Sequence, residues 1–359
     1  MTLTTEEMLR KAGGKRIQKG TGDHWDFGWR ATEPETWEEL YASGLARDSD
    51  PNEDVPEIKG DTVELYHEVK QAFGSYMYSW QMIGSCVEAG GQNGVITRQA
   101  QEIIHAARHE GAELPFCWLA YAAARSDGSN NRSEGDGASG TLFAKYLNEI
   151  GIPSNNTPGL PKPQLIPVEG RDDAYAIVYS PATLDQIAQF DPDRMQPRIV
   201  AQYELQFSTM KNIKQEWVEA AKKHTIKIVR CNSAEDVKRE LRRRRPILAA
   251  GDWGGLLQCP MVDGVLLNRR AGSWSHQQSI NAWRNHPTLG EIFRWQNQWY
   301  FLRKQKAVSM HGVCPPDEPP GGYWTRASDV DYQARTGEVF AIHGLEGYTE
   351  GAVDWTKGA

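Results

Sequence analysis

Three side chains in this sequence have the chemistry to make and break acyl bonds: a thiol at a helix start, an imidazole at the head of a strand, and an amide between tryptophans. The thiol is Cys86, in "SWQMIGSCVEAGGQNG" (79–94). Ser85 and Glu88 have the spacing of a capping box, in which the serine oxygen accepts from the Glu88 amide and the carboxylate reaches back to the Ser85 amide. That spacing puts Cys86 at the first helical position, where unpaired N–H groups and the positive end of the helix dipole favour thiolate over thiol. The Glu88 charge partly offsets this gain. A thiol alone decides nothing, because a nucleophilic cysteine needs a base and the base needs an orienting partner. Among nine histidines, His276 stands out in "GSWSHQQSINAW", after a turn and at the head of a strand-like run. Asn297 follows in "FRWQNQW", flanked by Trp295 and Trp299. An amide buried among tryptophans must find a hydrogen-bond partner, and an imidazole N–H is a good one. The alternatives are Cys117 in "PFCWLAY", whose apolar helical register marks it as core, and His286, His311 and His343, which have no Asn-x-Trp placed as suitably downstream and read as structural.

The elements that must position these groups fall into two halves. Residues 1–60 are polar, with Trp25, Trp29 and Trp37 as scattered anchors and an acidic stretch "DSDPNEDVPEIKG", and read as an extension wrapping the body. Helical spacing of apolar residues predicts helices over 61–73, over "TRQAQEIIHAARHEG", and over "SGTLFAKYLNEIGIP", which Gly151 and Pro153 close. Gly90, Gly91 and Gly94 weaken the helix that starts at Cys86 by up to ~1 kcal/mol each relative to alanine, so packing must hold it. In the second half a helix over 210–224 leads into the alternating "TIKIVRC", and strand-like runs follow at "PILAAG", "GVLLN", "SINAW", "EIFRWQNQWYFLRK" and "GEVFAI".

In chain order, "QMIGSC" (81–86), "SHQQSINAW" (275–283), "NQW" (297–299) and "GGYW" (321–324) resemble the motifs of the papain-like cysteine peptidases, with the flavour of the divergent group found in phages and other mobile elements. "GDGASGTLFAKYLNEIGI" and "SAEDVKRELRRRRPILAAG" resemble segments of the family's first and second lobes, so the resemblance spans 61–345. It implies an α+β, papain-like two-lobe fold: a mainly helical lobe over 61–200, a mainly β, barrel-like lobe over 201–345, and the active site in the cleft between them. Residues 346–359 would be a tail. The resemblance makes Cys86 the nucleophile, His276 the general base and acid, Asn297 the residue that fixes the imidazole, and Gln81 with the Cys86 amide the oxyanion hole. Trp299 would shield the Asn297–His276 hydrogen bond. It implies a peptide or isopeptide substrate and no cofactor. The departures are specific: Gln81 lies five residues before Cys86 where the family usually has six, Val87 replaces an aromatic residue, and Gln277 and Gln278 follow the histidine. They keep open a second reading, a papain-fold structural or interaction protein such as a phage particle component with virion partners.

Composition sets the remaining bounds. A net charge of −7 argues against nucleic acid as the main partner, and the basic run "RELRRRRP" suits a helix C-terminus. The N-terminus lacks the apolar core of a signal peptide and no stretch is long and apolar enough to span a membrane, so the expected location is a host cytoplasm or a virion. Five cysteines without a C-x-x-C pair fit neither a disulfide framework nor a zinc site. The loop "SDGSNNRSEGDGASG" faintly resembles a calcium loop, but Arg132 stands where the turn glycine belongs, and no metal is expected.

Overall fold

The structure is a computed structural model, and it describes residues 10, 15–19, 22–31, 33–81, 84–105, 112–127, 137–179, 206–221, 225–270 and 274–346. Its centre is the strand Trp274–His286, thirteen residues long and buried over its first ten. That strand pairs antiparallel with Ile247–Gly251 and, further along the same edge, with Thr62–Glu64, and with Gly290–Gln296 on the other edge. Its first residues also pair, in parallel, with Gly22–Asp26. The sheet continues through Glu338–Glu346 and Thr225–Arg230 to Ala46–Asp48, ten strands in all, and among the described residues its path does not close on itself into a barrel. A separate three-stranded sheet joins Tyr76–Ser79, Ala174–Val178 and Gln164–Pro167. No helix among the described residues is long and apolar enough to cross a membrane.

Several expectations shift at their edges. The helix expected from residue 61 is a strand over Thr62–Glu64 followed by a helix over Tyr66–Phe73, because Val63 and its neighbours are taken up by the central strand as ladder partners. The expected 210–224 helix is a 3-10 turn at Met210–Asn212 and then a helix over Gln215–Ala221, with 222–224 outside the described residues. The long strand-like run from Glu291 breaks after Gln296 and resumes at Tyr300, which leaves Asn297 on a connecting loop where its side chain is not committed to one sheet face. The calcium-like loop falls mostly on residues 128–136, outside the described residues.

The helix predicted at Cys86 runs without interruption from Cys86 to His105, and Cys86 is its first residue. Its glycines have a packing reason. A Cβ on Gly90 would stand 2.9 Å from the Gln277 carbonyl oxygen, so helix and central strand touch backbone to backbone there. The lost propensity, up to about 1 kcal/mol, is the cost of bringing Cys86 against the strand that carries His276. Neither half of the capping box is made among the described residues: Ser85 accepts through its backbone carbonyl from the Ala89 N–H, and burial holds the Glu88 carboxyl well above the usual carboxylate range, its Oε1 without a hydrogen-bond partner.

The basic run ends the helix Ala234–Arg242 and then turns inward. Arg245 binds Glu53 at 2.9 Å and Glu240 at 2.7 Å, and Arg243 lies 3.0 Å from Glu240. Arg243 and Arg245 are thus spent on carboxylates, among them Glu53 and Glu57 of the acidic stretch in the first sixty residues. Beside Arg245, the Glu53 carboxyl is held down to about 2.

Candidate active site

Residues from five remote segments converge at the start of the Cys86 helix. His276, the third residue of the central strand, points its Nε2 at Asn297 Oδ1, 3.0 Å away. The Gln298 backbone N–H also donates to Asn297 Oδ1, at 2.7 Å. A backbone amide can only donate, so this bond fixes which end of the Asn297 amide is oxygen. His276 must then carry its proton on Nε2, leaving the lone pair on Nδ1. Burial pushes the His276 imidazole down to about 3, so it is neutral at physiological pH.

Trp299 covers this pair. Its ring stacks on His276 with centroids 4.4 Å apart and planes at 29°, and it is fully buried. The same indole donates from Nε1 to Gln81 Oε1 at 3.1 Å. With its oxygen held, the Gln81 amide turns its Nε2–H the other way, onto the carbonyl oxygen of Phe27 at 3.2 Å. The Cys86 backbone N–H donates to the same oxygen at 3.4 Å. Two N–H donors therefore meet on one carbonyl beside the thiol, slightly longer than the ~2.7–3.1 Å that an oxyanion would draw. The five-residue spacing from Gln81 to Cys86 does not prevent the amide from arriving there.

Phe27 belongs to a segment that threads the site. Its N–H donates to Ser275 O at 3.3 Å, and its ring packs 4.3 Å from Trp299 and 5.5 Å from His276. Gly28 follows with φ +100°, its carbonyl accepting from the Ala138 N–H at 2.8 Å, and Trp29–Arg30 pairs in parallel with Ala138–Ser139. A Cβ on Gly28 would lie 1.7 Å from the Gly84 carbonyl oxygen, so only glycine fits. With Phe27 bonded to Ser275 on the histidine's side and to Cys86 on the other, the expected thiol–imidazole hydrogen bond is not made: among the described residues His276 Nδ1 has no partner.

Two contributors carried no signal in the sequence. Gln298 donates from Nε2 to Gln277 O at 2.8 Å and to Cys86 O at 3.3 Å, and its own carbonyl accepts from the Gln81 N–H at 3.0 Å. It ties the segment of the thiol to the strand of the imidazole. His311, set aside in the sequence as structural, accepts at Nε2 from Asn297 Nδ2, 2.5 Å away. Only its proximity in the fold reveals either one. Gln277, a conceivable substitute donor for the oxyanion, spends its Nε2 on Val87 O at 3.1 Å, and the Gln92 side-chain amide has no partner among the described residues. Cys117 is core, as its register predicts, and burial pushes its thiol well above the usual range. No cluster of metal-ligating side chains occurs among the described residues. "GGYW" lies behind the site: Gly321 O accepts from the Asn297 N–H at 3.2 Å, and the Tyr323 hydroxyl donates to Gln278 Oε1 at 2.6 Å.

No protein-family model and no curated protein matches this chain. Among solved structures it is similar to xylellain, a cysteine protease from Xylella fastidiosa, at 13% identity and a TM-score of 0.49, over 91% of this chain and 98% of that one. It is similar to proCathepsin B S9 from Trypanosoma congolense at 11% identity and 0.44, over 96% and 89%. A third is procathepsin L2 proteinase from the Tenebrio molitor larval midgut, at 12% identity and 0.42, over 95% and 81%. None of the three is described as a phage or virion protein. At these TM-scores a functional reading has to stand on the site's own geometry.

Proposed function

We propose that this chain is a papain-like cysteine peptidase whose cleft, between a helical and a β-rich lobe, is held closed by its own residues 22–30. The convergence of the Gln81 Nε2–H and the Cys86 N–H on the Phe27 carbonyl oxygen carries the reading, since a chain with a merely decorative cysteine has no reason to aim two donors at one carbonyl beside it. With a peptide in place of the segment, the Cys86 thiol gives its proton to His276 Nδ1 and the sulfur attacks the scissile carbonyl carbon. The oxygen takes the electron pair and is met by the same two donors. The imidazolium then protonates the leaving amine as the C–N bond breaks, and a water deprotonated by His276 hydrolyses the thioester, returning the thiol. Asn297 keeps the imidazole in the tautomer that accepts at Nδ1. The substrate class is a peptide or protein.

Gly28→Ala tests this, because its Cβ has no room beside Gly84 O, and displacement of the segment from the site is the expected outcome. Hydrolysis of a fluorogenic peptide library and labelling of Cys86 by a peptidyl electrophile are expected to rise by at least ~10-fold over the unaltered chain. Absence of both turnover and labelling in Gly28→Ala and in Phe27→Ala removes the peptidase reading and leaves a papain-fold structural or interaction protein.

A further inference from the structure

The hydrogen bonds beyond Asn297 form a chain in which every donor has one direction. His311 Nδ1 lies 2.7 Å from the Leu257 carbonyl oxygen, which can only accept, so Nδ1 carries the proton. Its Nε2 is then a bare acceptor, and Asn297 Nδ2 donates to it at 2.5 Å. Asn297 Oδ1 in turn accepts from His276 Nε2 at 3.0 Å and from the Gln298 N–H at 2.7 Å. The Leu257 carbonyl therefore acts, three groups away and in the same sense as the Gln298 N–H, on which nitrogen of His276 holds the proton. His311 is fully buried, and its ring is clamped between Trp299, at 5.8 Å and 25°, and Tyr323, at 4.7 Å and 70°.

We propose that His311 is a positioning residue that, together with the Gln298 N–H, sets the tautomer of His276 through Asn297, keeping the Nδ1 lone pair toward Cys86. Without an acceptor at His311 Nε2, the Asn297 Nδ2–H group is left unpaired in a buried site, and the amide loses one of the bonds that hold its oxygen toward His276. The catalytic consequence rests on the peptidase reading; the tautomer itself does not. Burial also pushes His311 down to about 4, so its Nε2 remains an acceptor at neutral pH.

The experiment is nitrogen NMR of the full chain labelled at histidine, with kinetics on the Gly28→Ala form. In the unaltered chain His276 is expected to be protonated at Nε2 alone and His311 at Nδ1 alone. His311→Phe keeps a ring between Trp299 and Tyr323 but removes the acceptor. It should give His276 as a mixture of tautomers and lower kcat by ~10-fold or more with KM within about twofold, while His311→Gln, which can accept through Oε1, restores most of kcat. A His276 still protonated only at Nε2 in His311→Phe overturns the proposal. So does a proton on His311 Nε2 in the unaltered chain, a measurement that needs no variant to fold. Tautomers that shift as expected in a chain without any turnover support the relay and defeat the peptidase reading instead.

Discussion

Cys86 and Cys117 occupy the same kind of place and have different fates. Cys86 is the first residue of the helix Cys86–His105, Cys117 immediately precedes the helix Trp118–Ser126, and both are buried. Around Cys117 the neighbours are apolar: Phe116 next to it packs edge-on against Tyr179, Phe207 and Trp217 at 5.1, 5.3 and 6.3 Å. Burial, with Glu88 nearby, pushes the Cys117 thiol well up. Around Cys86, segments more than a hundred residues away deliver an imidazole, two amides and an indole, each already oriented by another hydrogen bond. A helix start is thus not what separates a reactive from an inert thiol. The separation comes from whether the fold brings polar groups to it whose donors and acceptors have been settled beforehand.

The largest test of that contrast removes each sulfur in turn. In the Gly28→Ala form, Cys86→Ala is expected to lower kcat/KM by ~10⁴-fold or more, while Cys117→Ala stays within about threefold and costs only ~1–2 kcal/mol in urea unfolding. Comparable losses from both would mean that the two sites do not differ in kind. Next in size is Gln81→Ala. Removing the donor that faces the Phe27 carbonyl should slow turnover by ~100-fold with KM nearly unchanged, because the lost bond belongs to the transition state. Activity indifferent to this change would shift the oxyanion donor elsewhere without touching Cys86.

The smallest effect is in stability, where the two regions titrate with opposite sign. His276 is neutral when folded and pushed down to about 3 from 6.5, so below pH 6.5 only the unfolded chain takes up its proton. The stability it brings is complete above pH 6.5 and is lost as the pH falls toward 3. Glu88, beside Cys117, is held protonated when folded, so its contribution is present below its ordinary 4.5 and is lost as the pH rises. Between pH 4.5 and 6, His276→Gln should therefore reduce the rise of unfolding free energy with pH by about 1.4 kcal/mol per pH unit. Glu88→Gln should increase that rise. Urea titrations at several pH values read both slopes, and equal slopes in all three chains would show that neither group is buried as described.

The sequence by itself determined the local parts. The helix beginning at Cys86, the helix over 140–149 with its Ser139 cap, and a strand headed by His276 all follow from capping residues and from periodicities that neighbouring residues impose on one another. The order of the four motifs singles out Cys86, His276, Asn297, Gln81 and Trp299, and the fold brings these five together. Only the tertiary structure decided that the Gln81 amide reaches the Phe27 carbonyl despite its shortened spacing, that residues 22–30 lie in the site, and that Gln298 and His311 belong to it. Those outcomes depend on contacts between segments with no shared periodicity. A hydrogen bond also depends on tenths of an ångström, which local propensity does not specify. The polar histidine at 311 carried no sign of its role, because an imidazole becomes a fixed acceptor only when burial removes water and a backbone carbonyl, here Leu257's, takes its proton.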